Sequence, residues 1–212
     1  MKFNLNTKSG MTMLFLASII SIVSCKKSNE VESSLSLNNE VAAVVINYSD
    51  TVVGNYANPA SGPGAYDTVY FNAINGTSSS TLPFTHHIIF YGYNNGVIYK
   101  ANAGDDFRYL NTDDPITSMT PTDFSNATAV PTGFSENTAT DDDNDPPAAN
   151  GWWNYNRTLR QVVATKNVIF FYRAAAPGSS IYAFRVVQAY GLGTATWNNG
   201  NYWIEGGGPV TP

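Results

Sequence analysis

From Val41 to its end the chain is written in short runs of alternating apolar and polar residues, separated by clusters of Gly, Pro and Asn. A period of two is the spacing of a pleated strand, whose successive side chains point to opposite faces. The runs Val41 to Tyr48, Asp67 to Ile74, Thr85 to Tyr93, Val97 to Ala101, Gln161 to Thr165, Asn167 to Ala174, Ile181 to Tyr190 and Tyr202 to Glu205 read as strands. Asn75-Gly76, Asn94-Asn95-Gly96 and Pro177-Gly178 supply tight turns, so neighbouring runs pair as antiparallel hairpins. A Gly/Pro/Asn-rich connection from Gly54 to Gly64 and a long excursion from 111 to 150 break the series. The excursion carries scattered prolines and the acidic cluster Asp141-Asp142-Asp143-Asn144-Asp145, a composition in which no helix or long strand is expected. The fold class that follows is all-β, an antiparallel twisted sandwich or curved sheet with long loops.

Composition supports this and removes other classes. Aromatic residues are as frequent as charged ones, 13% each, and rings pack well on pleated surfaces, whereas long exposed helices need many Glu, Lys and Arg. The net charge is −5, and more negative still once Lys2 and Lys8 leave with the leader. Cations are scattered rather than clustered, so nucleic acid is a poor partner.

The first residues have their own logic. Lys2 and Lys8 make a positive start, and Met11 to Val23 is an apolar stretch shorter than the ~20 residues that cross a bilayer. Ile22-Val23-Ser24-Cys25 ends it and resembles the lipobox of bacterial lipoproteins. That resemblance implies a signal peptide over 1–24, cleavage before Cys25, and palmitate-type acyl chains on that residue, which hold the protein to a membrane without a spanning helix. Cys25 is the single cysteine of the chain, so no intramolecular disulfide forms. Residues 25–40 then read as lipidated cysteine and flexible tether, and 41–212 as one all-β domain.

Several landmarks occur in a fixed order: Tyr70-Phe71-Asn72 before Asn75-Gly76; Thr85-His86-His87-Ile88-Ile89-Phe90; Ala127-Thr128-Ala129-Val130-Pro131-Thr132; Gly151-Trp152-Trp153-Asn154-Tyr155; and Val168 to Arg173 followed by Phe184-Arg185-Val186-Val187 and Ala189-Tyr190. Together they resemble the HmuY-like family of haem-binding outer-membrane lipoproteins of the Bacteroidota, over about residues 65 to 205. The resemblance implies a twisted β-sandwich, a cell-surface location on the outer membrane, a haem or related porphyrin ligand held between loops at one end, and a collaborating outer-membrane receptor. The family's axial ligands do not carry over. One position falls on Arg157, whose guanidinium has no lone pair for iron, and the other falls within 133–150, which contains neither His nor Met.

The candidate binding residues are therefore Trp153, Tyr155, Arg157, Met119 and His86. On an extended segment Trp153, Tyr155 and Arg157 share one face and Trp152 takes the other, so two aromatic faces beside a guanidinium could hold a flat ligand, a propionate or a sugar ring; the same residues could equally be core. Met119 could offer a thioether to iron or fill a gap in the packing. His86 and His87 occupy the family's Trp-Asp position, and as strand neighbours only one can face a shared site. The Asp141–Asp145 cluster lacks the Gly and Glu spacing of a calcium loop. No nucleophile–base constellation appears, and the late glutamates Glu136 and Glu205 are not selected as an acid–base pair, so the chain reads as a binding protein rather than an enzyme. Haem held without a His/Met pair, another flat or carbohydrate ligand, and an adhesion module are the functions left open.

Overall fold

Eleven phenylalanine and tyrosine side chains with almost no exposure need somewhere to go, and two facing sheets provide it for most of them. The computed structural model describes residues 44–135, 151–156, 161–164, 168–194 and 196–210. Its strands are β1 (Ile46–Val53), β2 (Val69–Phe71), β3 (Ser78–Ser79), β4 (Ile88–Tyr91), β5 (Val97–Lys100), β6 (Asp106–Asn111), β7 (Thr128–Ala129), β8 (Trp153–Asn156), β9 (Gln161–Ala164), β10 (Val168–Arg173), β11 (Ile181–Gly193) and β12 (Asn198–Val210). Six form one sheet in the order β1-β12-β11-β10-β6-β7, four form a second in the order β3-β2-β4-β5, and β8 pairs with β9. Every pairing is antiparallel. Among the described residues no helix is long and apolar enough to cross a membrane.

The two larger sheets meet through rings. Phe71 of β2 sits edge-on to Phe184 of β11 with centroids 5.4 Å apart, and Phe90 of β4 stacks on Tyr202 of β12 at 5.8 Å. Phe184 also stacks on Phe170 and Phe107, at 5.1 and 6.1 Å. Offset and edge contacts at these separations stabilise the pairs beyond the area that they bury.

β10 explains why its sequence, Val-Ile-Phe-Phe-Tyr, lacks polar alternation. Val168, Phe170 and Tyr172 face the inter-sheet core, while Ile169 and Phe171 face a second cluster on the outer side of the six-stranded sheet. A strand buried on both faces reads as a continuous apolar run. The outer cover comes from the excursion expected to hold no helix. That expectation was wrong: a helix, α1, runs from Pro121 to Asn126. Thr120 caps it, its hydroxyl accepting from Asp123 N while the Asp123 carboxylate accepts from Thr120 N at 2.8 Å, and Pro121 occupies the first turn. Those placements satisfy orphan amides and suit a fixed proline φ. Phe124 of α1 then meets Phe171 edge-on at 6.0 Å, with the guanidinium carbons of Arg108 and Arg173 over its ring at 4.8 and 4.6 Å.

Other boundaries also move. The first strand is Ile46–Val53 rather than Val41 to Tyr48, and β6 arises where no strand was expected. The last strand extends to Val210 through Gly206-Gly207-Gly208. Glycine is required there by close approach: a Cβ on Gly206 would lie 2.3 Å from the Tyr48 hydroxyl, and one on Gly207 1.9 Å from Val45 O. The short turns behave as read, with Gly76 and Gly178 at φ +77 and +75 and both Asn94 and Asn95 at φ 53. Asparagine tolerates that left-handed region better than most residues.

Because Phe184 touches rings from both sheets, Phe184→Ala should destabilise the fold by about 3–5 kcal/mol. Urea unfolding should show this as a lower midpoint with an unchanged slope.

Candidate functional site

The residues singled out in the sequence are mostly spent on packing. Trp153 is 7% exposed and Trp152 is fully buried. Their indole nitrogens do not diverge, as strict alternation requires, because Trp152 lies in a bend ahead of β8. Both donate to a single acceptor, Gly96 O, at 3.0 Å from Trp152 and 2.7 Å from Trp153. A carbonyl with two lone pairs accommodates both. Gly96 has to be glycine, since a Cβ there would lie 2.8 Å from Trp153 Nε1. Met119 is 2% exposed and belongs to the outer cluster with Ile116, Phe124 and Phe171, where a flexible thioether fills space. His86 donates from Nδ1 to Phe84 O at 2.7 Å and lies on the Tyr70 ring, centroids 4.6 Å apart. His87 lies on Tyr172 at 4.5 Å. Cys25, Glu136, Asp141–Asp145 and Arg157 fall outside the described residues.

Two polar regions remain. One is a cleft of about 430 Å³ beside Asp105, Asp106 and Arg173. The Asp105 carboxylate accepts from Tyr172 Oη at 3.0 Å, Ala175 N at 3.1 Å and Asn102 Nδ2 at 3.1 Å. Asp106 is paired with Arg108 at 2.8 Å and Arg173 at 3.2 Å, and these guanidiniums hold its carboxyl below the usual carboxylate range despite its burial. With its lone pairs engaged, this is a clamp joining β6 to the β10–β11 hairpin. Glu205 is likewise engaged, at 2.5 Å from Arg185. Among the described residues no group of three His, Cys, Asp or Glu is placed to hold a metal.

The other region gathers where the chain leaves β1, turns between β4 and β5, and enters β12. Its elements are locked together by asparagines. Asn95 Nδ2 donates to Asp67 O at 2.9 Å and to Tyr66 O at 3.3 Å, while its Oδ1 accepts from Asn55 N at 2.8 Å. Tyr202 Oη donates to Asn94 O at 2.6 Å, and the Tyr66 hydroxyl donates to Asn198 Oδ1. A reciprocal backbone pair, 2.9 Å in each direction, ties Ala57 to Asn198. Burial, followed by the neighbouring Tyr93 and Tyr155 hydroxyls, raises the pKa of Tyr66, which keeps it a neutral donor. Of the expected aromatic face, Trp153 thus reaches this neighbourhood through Gly96 O, and Tyr155 through its hydroxyl near Tyr66.

On this frame sit two rings that the sequence reading passed over. Tyr56 is 53% exposed and Trp197 50%; their planes are within 6° of parallel and their centroids 6.4 Å apart. Tyr93, 49% exposed, stands edge-on to the buried Tyr66 at 5.9 Å. The amides of the frame are incompletely used: Asn55 Nδ2, Asn94 Oδ1 and Asn199 Oδ1 are buried without a hydrogen-bond partner. Such atoms are costly in a fold that uses them for nothing else. The region can stack a ring and hydrogen-bond it, with little charge. No signal of spacing marked it, because its residues come from segments read as connections; Trp197 among Asn and Gly was the visible clue.

No family model matches the chain, and no curated protein or solved structure matches it either.

His87 carries a pH signature. Desolvation lowers its pKa below 6.5, with Asp105 opposing and His86 reinforcing that shift. The unfolded chain therefore binds a proton that the folded chain resists, so this contribution to stability is complete above about pH 6.5 and is lost as pH falls below it. Urea midpoints should fall between pH 7 and 5, and His87→Phe, which keeps the ring on Tyr172, should flatten that slope.

Proposed function

We propose that this protein is a lipid-anchored cell-surface binding protein, without catalytic activity, that takes a neutral carbohydrate on the Tyr56–Trp197 face. The observation that carries the reading is that parallel pair of half-exposed rings, flanked in the chain by Asn55 and Asn198. A pyranose has an apolar C–H face that lies on an aromatic ring and a rim of hydroxyls that amides can both donate to and accept from. The lipobox-like segment ending at Cys25 supports the anchor, and the HmuY-like order of landmarks supports a scaffold that presents ligands from its loops.

That same resemblance implies haem or a related porphyrin. His86, His87 and Met119 are engaged in packing, so a porphyrin would be held by its ring and not through iron. The carbohydrate reading needs no such rearrangement.

The test is a titration of the lipidated chain in detergent micelles, following tryptophan emission, with neutral saccharides and separately with hemin. Saccharide should shift the emission, and Trp197→Ala or Tyr56→Ala should weaken binding about tenfold, roughly 1.4 kcal/mol. Both variants should leave stability within about 0.5 kcal/mol, as exposed substitutions do. A hemin Soret spectrum of the bis-ligated type, with no response to any saccharide, would replace this reading by the porphyrin one.

A further inference from the structure

A cleft of about 460 Å³ opens where the chain leaves β1 just ahead of Tyr56, bounded by Val53, Gly54 and Asn55 on one side and by Val69 and Ser78 to Ser80 on the other. Its position follows from the topology. β1 is the edge strand of the six-stranded sheet and β3 the edge strand of the four-stranded sheet, and residues from both border the opening. Its size lies within the ~300–1,000 Å³ of small-molecule clefts. No Asp, Glu, Lys or Arg lines it, which suits neither a phosphate nor a carboxylate ligand. Hydroxyls, amide and valine methyls instead give hydrogen bonds in both directions and small apolar contacts.

The wall is held firmly. Gly54 N donates to Gly200 O at 2.7 Å, and Gly54 O accepts from Asn199 Nδ2 at 3.1 Å. A Cβ on Gly54 would lie 2.3 Å from Gly200 O, so only glycine lets the chain pass. Within this wall Asn55 Nδ2 is a donor without an acceptor, and Asn199, which holds Gly54 O, keeps an Oδ1 without a donor, on a residue 8% exposed. Asn55 lines the opening, so an oxygen of a ligand there would give its amide nitrogen the partner that the protein does not supply. The cleft and the aromatic face are neighbours along the chain, because Asn55, which lines the cleft, directly precedes Tyr56, with consecutive Cα atoms ~3.8 Å apart.

From this we infer that the cleft is a second subsite of the carbohydrate site, receiving the units of a neutral oligosaccharide next to the one stacked on Tyr56 and Trp197. The inference rests on the carbohydrate reading and deepens it: the ligand is a chain of sugars and not a single one. Ring stacking fixes one unit, and the cleft adds hydrogen bonds only when the chain is long enough to enter it.

The full lipidated chain in detergent micelles would be titrated calorimetrically with neutral linear gluco-, manno-, galacto- and xylo-oligosaccharides of one to six units. In at least one series affinity should rise about tenfold between the shortest binder and the longer members, then level off. Ser80→Trp, at an exposed cleft position, should remove that gain and leave the shortest binder unchanged, and Asn55→Ala should remove the gain as well. Trp197→Ala should weaken every length. Affinity independent of length and unaffected by both cleft variants would overturn the second subsite while leaving the aromatic site standing. Absence of binding at every length would overturn both.

Discussion

The contact on which the rest of the molecule depends is the ring cluster around Phe184. It joins Phe71 of the smaller sheet to Phe170 and Phe107 of the larger one, at centroid distances of 5.1 to 6.1 Å. Neither sheet can bury its apolar face alone, and these rings give each the other as cover. Once the sheets face one another, their strand ends and connecting turns are brought to fixed places. Asn95 and Tyr202 then tie those turns to the strands, and the aromatic pair is displayed from a backbone that hydrogen bonds hold on several sides. Rigid support of this kind lowers the cost of ordering a binding surface when ligand arrives.

Much of the sheet system was legible because period-two runs and tight-turn residues act locally. The β4–β5 hairpin and the pairing of β10 with β11 across Pro177-Gly178 follow directly from such runs and turns. What escaped depends on distant partners. Gly206 and Gly207 lie past the run read as ending at Glu205, yet they continue the strand, with Tyr48 and Val45 close against them. Asp106 to Asn111 contains two charges that discourage a strand reading, but Arg108 and Asp106 pair with each other at the sheet margin. The α1 helix had its signature in Thr120-Pro121-Thr122-Asp123, which is a capping box with proline in the first turn; the surrounding prolines and acids masked it.

The site was less legible than the fold, for a related reason. The tandem tryptophans draw attention in the sequence, and the structure spends them on Gly96 O. Asparagine-rich connections look like filler, and here they are the fastenings of a surface that presents Tyr56 and Trp197. Burial separates the two cases: Trp153 is 7% exposed and Trp197 50%. Sequence patterns indicate which residues are aromatic, whereas only packing decides which rings remain available to a ligand. Chains that bind through neutral amides and rings therefore hide their function better than those that use clustered charge or metal ligands.

The most direct test of the central claim is saturation-transfer NMR on a bound neutral oligosaccharide, with irradiation of the protein's aromatic protons. A sugar stacked on Tyr56 and Trp197 should receive saturation chiefly on the C–H protons of one ring face, and Trp197→Ala should remove that pattern. Saturation spread evenly over the saccharide, or a pattern that survives Trp197→Ala, would contradict the account.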